Sequence, residues 1–147
     1  MKQGAALVKF VLKQLASGVF FAPMKEMRRG ELGRWGESVA AGHLVAKGHR
    51  IIERNWRHRR CEIDLIATIG ETTVFVEVKV RSSVDWEEVG DVVHSGQRRR
   101  LIRAAHAFLR LRRNVPGKPR FDVIHITMIE GGWRLDHVVD AFLPLHA

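Results

Sequence analysis

The sequence predicts an α/β domain, and three observations carry that prediction. Apolar residues recur at helical spacing over residues 31–47 and again over 97–113; three strand-like runs lie between these stretches; two further strand-like runs follow the second. A length of 147 residues suits one compact domain with one site and leaves no room for a second core. Hydrophobic residues at 46% and charged residues at 28% allow both a buried core and a solvated surface.

Residues 1–30 differ from the rest and read as an N-terminal extension to a domain over 31–147. Leu7, Phe10, Val11, Leu15, Val19 and Phe20 lie at roughly helical spacing, interrupted by Lys9 and Lys13. A membrane span needs about 20 mostly apolar residues without such charges, so no stable membrane insertion is expected. A signal peptide is equally poorly matched, because the lysines split the apolar run and no small-x-small cleavage pattern follows. Two readings stay open: an amphipathic interfacial helix, or a mis-assigned start, since Met24 and Met27 both precede the better-formed domain.

From Glu31 to Lys47 the residues Leu32, Trp35, Val39, Leu44 and Val45 follow a helical period, and Gly48 is placed to stop the helix. Ile51 to Trp56 reads as a strand running into the basic cluster Arg57, His58, Arg59 and Arg60. Cys61 to Ile69 and Thr72 to Arg81 read as strands joined by Gly70-Glu71, a two-residue hairpin loop with glycine first. Residues 82–94 form a mixed loop. From Gln97 to Arg113 the apolar set Leu101, Ile102, Ala105, Phe108 and Leu109 is helical, with arginine on the opposite face. Residues 114–119 are a breaker segment, after which Phe121 to Ile129 and Trp133 to Val139 read as strands joined through Gly131-Gly132.

The hairpin carries the chemistry. If Ile69 pairs with Thr72, Asp64 lies opposite Glu77 and Glu62 opposite Lys79. Strand side chains alternate, so all four share one face, while Ile63, Leu65, Val74, Val76 and Val78 turn to the core. Like charges opposite one another destabilise a strand pair. A hard divalent cation offsets that repulsion: Mg²⁺ takes oxygen ligands at about 2.0–2.1 Å, often one or two carboxylates with water and a substrate phosphate. Lys79 would then stand beside the phosphate or the attacking water. The plainer alternative is a Glu62–Lys79 ion pair beside a screened, solvated acidic face.

These residues also carry a resemblance. Glu62-Ile63-Asp64-Leu65-Ile66 followed by Phe75-Val76-Glu77-Val78-Lys79-Val80-Arg81 resembles the PD-(D/E)XK nuclease signature, and specifically the YraN-like protein family. The likeness extends to Gly33-Arg34-Trp35-Gly36-Glu37, Arg54-Asn55-Trp56-Arg57, the arginine-rich helix with Ala104-Ala105, Arg120-Phe121-Asp122-Val123 and Ala141-Phe142, covering about Glu31 to Phe142. It implies a restriction-endonuclease-like fold, a mixed central sheet flanked by helices, akin to Holliday-junction resolvases. It further implies that Asp64 and Glu77 bind Mg²⁺ or Mn²⁺, that Lys79 assists the attacking water, and that Glu37 completes the catalytic metal shell or, alternatively, is a helix-surface carboxylate. Two positions depart from the pattern: Cys61 replaces the usual Gly, and Gln97 stands where Lys is typical, with Arg98, Arg99 and Arg100 as neighbouring substitutes.

Charge points to the same class of partner. There are 25 Lys and Arg against 16 Asp and Glu, a formal +9, with a sequence pI near 10.8. Such a surface suits nucleic acid through counterion release, and an anionic membrane surface as well. Arg54, Arg57, Arg59 and Arg60 form one cluster; Gln97, Arg98, Arg99, Arg100 and Arg103 belong to the start of another. Arginine holds phosphate bidentately without reading sequence, so DNA bound by its structure or ends is the expected ligand. Trp56 and Trp86 are candidates to stack on bases, although tryptophan in a domain of this size is commonly core. The eight histidines show no metal-ligand spacing and read as solvated or phosphate-facing. The single Cys61 excludes an intrachain disulfide and a multi-cysteine zinc site, and fits a reducing, cytoplasmic location.

The expectation is a metal-dependent endonuclease acting on DNA, with branched or damaged DNA as candidate substrates. A non-catalytic nucleic-acid-binding protein on the same fold is the alternative, and a peripheral membrane adaptor held through residues 5–21 a third. A homodimer is compatible with the resolvase likeness, but no residue pattern identifies an interface.

Overall fold

The computed structural model describes residues 27–81 and 95–143. The elements run α1 (Arg29–Ala46), β1 (Arg50–His58), β2 (Cys61–Ile69), β3 (Thr72–Arg81), α2 (Ser95–Leu111), β4 (Lys118–Ile129) and β5 (Gly132–Val138). Among the described residues no helix is long and apolar enough to cross a membrane. The readings made for residues 1–26, for the 82–94 loop and for Trp86 lie outside the described residues.

The strands form one mixed sheet in the order β1-β2-β3-β4-β5. β3 and β4 pair in parallel, and every other neighbouring pair is antiparallel. Antiparallel neighbours are joined by tight turns, whereas the parallel pair needs a long crossover, which here contains α2. At the first of these turns to be decided by sequence, Ile69 pairs with Thr72 and Gly70 takes a φ of 54°. A side chain there would sit in the left-handed region that primed hairpin turns demand.

The sheet is covered on both faces. Val39, Ala40, Ala41 and Leu44 of α1 pack with Leu65, Val74, Val76, Ile124, Ile126 and Trp133. Leu101, Ile102, Ala105 and Phe108 of α2 pack on the opposite side with Ile66, Phe75, Phe121 and Val123. This is why Leu65-Ile66-Ala67 and Val74-Phe75-Val76 are continuous apolar runs and wholly buried: central strands with helices on both faces cannot alternate with polar residues. The acidic residues therefore lie at one end of a buried face and not along a solvated one.

One core assignment needs correction. Ile63 packs in the α2 cluster with Ile66, whereas Leu65 packs under α1. Strict alternation would place Ile63 and Leu65 on the same side, so the pleat of β2 is broken around Asp64. Element ends also shift. α1 starts at Arg29 because the Arg28 backbone N–H donates to the Glu31 carboxylate at 2.9 Å, the N3-to-N-cap bond of a capping box. β4 starts at Lys118 because Lys118 and Pro119 pair with Thr72 and Thr73; proline is tolerated at the beginning of a strand.

The approach of α1 to the sheet is set by Gly36. A Cβ on Gly36 would lie 2.2 Å from Val80 Cγ2 and 3.6 Å from Ile126 Cδ1. Hydrogen in place of a side chain lets the helix backbone rest directly on β3 and brings the next residue, Glu37, to the edge of the site.

Candidate active site and basic surface

The strands part where the acidic residues begin. β2 and β3 are paired from Ile69↔Thr72 to Leu65↔Val76 and no further. Beyond that point β2 stays with β1, through Ile63↔Trp56 and Glu62↔Arg57. β3 stays with β4 instead, from Glu77↔Val123 to Arg81↔Thr127. A fork opens between the two strands, and its floor is formed by Asp64 and Glu77.

A side chain closes the ladder at the crotch of this fork: the Val78 N–H donates to Asp64 Oδ2 at 2.8 Å. Glu77 Oε1 accepts from Lys79 Nζ at 2.8 Å and from Gln97 Nε2 at 2.6 Å. Residues two apart on a strand share a face, which is how Glu77 and Lys79 meet. Gln97 stands in the first turn of α2 and ties that helix to the same carboxylate. Burial pushes the Asp64 carboxyl up to about 7, and the Glu77 and Glu37 charges add to the rise; the Val78 N–H and Lys79 act in the opposite direction. Removing a carboxylate from water beside another disfavours its charged form.

Glu37 is close enough to act electrostatically on Asp64, yet its Oε2 accepts from Asn55 Nδ2 at 2.7 Å. Asn55 has a φ of 49°, a conformation that asparagine adopts more readily than most residues. Among the described residues no three His, Cys, Asp or Glu side chains converge closely enough to hold a metal ion together. The structure thus gathers Asp64, Glu77, Lys79 and Gln97, and leaves Glu37 held one partner away. Glu62 departs from the expected pairing: its carboxylate takes Arg57 at 2.9 Å, and Lys79 is engaged with Glu77. The fork separates the strands before Glu62 and Lys79 can face each other.

The arginines occupy two neighbouring surfaces. Arg59 and Arg60 form the exposed turn of the β1–β2 hairpin, beside Arg57. Arg54 donates to Ser38 Oγ at 2.8 Å, bracing β1 against α1. On α2, Arg99, Arg100 and Arg103 are exposed, and the Arg98 guanidinium lies 5.7 Å from the Phe142 ring centre. Trp56 joins the two surfaces. Its ring meets Phe108 of α2 edge-on at 5.4 Å and stacks on His58 at 5.9 Å, so it is a packing residue whose face is already taken.

A second polar centre escaped the sequence reading. Asp122 is completely buried and accepts from Arg120 Nε at 2.8 Å and Nη2 at 2.7 Å, from the Asp140 N–H at 3.1 Å, and from His137 Nε2 at 2.8 Å. His137 Nδ1 meets His43 Nε2 of α1 at 3.1 Å, and Arg120 reaches His49 Nε2 at 3.2 Å. His43, His49 and His137 are therefore members of a network that fastens α1 to β4 and β5, not solvated or phosphate-facing groups. Burial raises the Asp122 carboxyl, but hydrogen bonds from His137, Arg120 and the Asp140 N–H together bring it down to about 2. Burial, together with the neighbouring His137, Lys47 and His49, lowers His43 to about 4. Arg120-x-Asp122 inside an apolar strand was the available signal, because a buried carboxylate requires partners.

Comparison with known proteins adds the family. A profile of the uncharacterised protein family UPF0102 matches residues 36–126, a span holding Glu37, Asp64, Glu77, Lys79 and Asp122. A UPF0102 protein of Nitratidesulfovibrio vulgaris is 42% identical over 114 residues, 78% of this chain and 85% of that protein. One from Prosthecochloris aestuarii is 41% identical over 120 residues, 76% of this chain and 93% of the relative. Another, from Bacteroides thetaiotaomicron, is 37% identical over 115 residues, 78% and 93% respectively. With a family match over residues 36–126 and relatives at this identity over about three quarters of the chain, the chain belongs to the UPF0102, or YraN-like, family.

Proposed function

We propose that the chain is a metal-dependent endonuclease that hydrolyses phosphodiester bonds in DNA, with the fork between β2 and β3 as its site. The single observation supporting this is the gathering of Asp64, Glu77 and Lys79 where the ladder ends, two carboxylates from adjacent strands with a cation beside them. The donor set fits Mg²⁺ or Mn²⁺: both carboxylates offer hard oxygen, and Mg²⁺ commonly uses one or two carboxylates plus water and phosphate. Asp64 and Glu77 would hold the ion, and Glu37 would join them on leaving Asn55. When bound, such an ion supplies charge for the transferring phosphoryl group and makes a bound water more acidic. Lys79, held by Glu77, places an ammonium beside the reacting phosphate and orients the attacking water. The arginines of the β1–β2 turn and of α2 hold the backbone on either side through charge-assisted contacts that carry no base information.

The test is cleavage of linear, flapped and four-way DNA by the purified chain. Cutting that requires Mg²⁺ or Mn²⁺, stops with chelator and disappears in Asp64→Ala and Lys79→Ala supports the assignment. Cutting that survives both substitutions rejects the site.

A second reading, a nucleic-acid-binding protein without turnover, is favoured by one observation. Glu77 Oε1 is engaged by both Lys79 and Gln97, and Glu37 by Asn55. Salt-sensitive binding with no cleavage at any metal concentration would select it.

A further inference from the structure

A groove of about 990 Å³ runs along α2. Ile102 and Leu109 of α2 form one side of its floor, and Ala141, Phe142 and Leu143 the other. Arg99, Arg103, His106 and Arg110 stand along its rim. Leu143 is 71% exposed, so part of this apolar lining faces water. The wall made by Ala141 and Phe142 is fixed before anything binds. The Ala141 N–H donates to the Phe121 carbonyl at 2.7 Å, and Phe142 stacks on Phe121 at 5.0 Å with rings 17° apart. A preformed wall lowers the ordering cost of association.

We propose that this groove docks an acidic, amphipathic segment of a partner protein, a helix presenting aliphatic anchors to the floor and carboxylates to the rim. The inference does not use the fork, since none of the groove residues is in it, and it reassigns Arg99 and Arg103, offered above as phosphate contacts, to a protein partner. Charge complementarity selects the occupant. Arg99, Arg103 and Arg110, with His106 between them and no acidic residue among the described lining residues, call for an anion. The floor then decides between anions. Single-stranded nucleic acid binds such surfaces by stacking bases on aromatic faces, but among the described lining residues the one aromatic ring, Phe142, is covered by Phe121 and by the Arg98 guanidinium. The remaining floor is aliphatic, which suits Leu or Ile side chains spaced i, i+4, i+7 on a helix. The chain's own residues 1–26 carry such apolar spacing, but Lys2, Lys9, Lys13 and Lys25 oppose the arginine rim. α2 spans about 25 Å, so a partner helix of about 14 residues, about 21 Å long, fits within its length.

The experiment is fluorescence anisotropy of the full chain with a labelled helical peptide of about 14 residues, leucines at i, i+4 and i+7 and Glu or Asp between them. Saturable binding is expected, weakened about tenfold when the acids become Gln and about tenfold by Arg99→Glu with Arg103→Glu. Arg59→Glu, on the hairpin turn, should leave it unchanged. Leu109→Glu tests the floor, and the two surface arginine substitutions keep the test decisive if that variant does not fold. The proposal is overturned by absence of saturable binding, by equal affinity for the neutral peptide, or by an equal loss in Arg59→Glu. It also fails if a thymidine oligonucleotide displaces the peptide at equal concentration, which would make the groove a nucleic-acid site. Binding that emerges only after Asp85, Glu87 and Glu88 are neutralised overturns it too, by making the chain itself the occupant.

Discussion

The backbone N–H of Val78 donates to the carboxylate of Asp64 at 2.8 Å, so the last bond between β2 and β3 comes from a side chain and not from a carbonyl. That bond holds Asp64 beside Glu77 exactly where the strands separate, in a half-buried position. An N–H donor favours the charged carboxylate, yet burial and the neighbouring Glu77 outweigh it and leave the carboxyl at about 7. At neutral pH the site is thus poised between holding a proton and holding another cation.

The first prediction follows from the sign of that shift. An unfolded Asp64 titrates near 3.8, so the folded protein binds the proton more tightly. Folding stability contributed by this group is fully present below about pH 4 and is lost as pH rises towards about 7. Asp64→Asn keeps an acceptor for Val78 and removes the titration. In urea unfolding it should match the native chain near pH 4 and exceed it near pH 8, by on the order of 1–3 kcal/mol. Added Mn²⁺ should stabilise the native chain and not the variant. A stability difference that stays flat across this pH range would reject the argument.

Lys79 gives a separate test of function. Its ammonium lies 2.8 Å from Glu77, and it is one cation among many on a +9 chain. Lys79→Met should lower metal-dependent cleavage by at least about a hundredfold. Affinity for the same DNA, measured at fixed salt, should change by less than about threefold, because the exposed arginines supply most phosphate contacts. Equal losses in binding and cutting would make Lys79 a binding residue only.

The hairpin was legible because a two-residue loop starting with glycine fixes register, and the pairing of Leu65 with Val76 is the one that loop requires. Helical spacing found both helices, since each buries one face against the sheet. The fork was not legible. Its cause is that β2 follows β1 while β3 follows β4, a competition between partners distant in sequence. That competition breaks the pleat at Asp64 and moves Ile63 to the opposite core. The grip of Gln97 on Glu77 and of Asn55 on Glu37 depends on how helices dock, which periodicity does not encode. The histidines misled for a related reason: His137 lies 94 residues from His43, which it meets directly, and His49 joins them through Arg120, contacts that exist only once β4 and β5 are against α1.

Gly36 converts packing into a prediction. A methyl group there would fall 2.2 Å from Val80 Cγ2, far inside contact distance, so α1 must lift or Val80 must move. Gly36→Ala gains helix propensity of about 1 kcal/mol but overpacks a buried contact at a cost of typically 1–3 kcal/mol. The expected balance is a net loss of stability on chemical unfolding. Val80→Ala should restore much of it, because it removes the atom that clashes; failure of that rescue would mean the helix backbone itself is displaced.

The Asp122 network makes two predictions that differ in pH. Removing the carboxylate strands Arg120 and takes away the acceptor for His137 and the Asp140 N–H. Breaking a buried pair in this way costs about 3–5 kcal/mol, so Asp122→Ala should be severely destabilised near neutral pH. The carboxyl, brought down to about 2 against 3.8 in the unfolded chain, contributes stability that is present above about pH 4 and lost as pH falls towards about 2. His43, lowered from 6.5 to about 4, acts higher on the scale: the unfolded chain takes up its proton first, so stability is lost as pH falls from about 6.5 to about 4. In an Asp64→Asn background, which removes the opposing slope of Asp64 between about pH 7 and 4, acid unfolding should therefore proceed in two overlapping slopes. His43→Leu should flatten the upper one and leave the lower intact, whereas a variant that flattens both would show that the histidine and the aspartate titrate as a single unit.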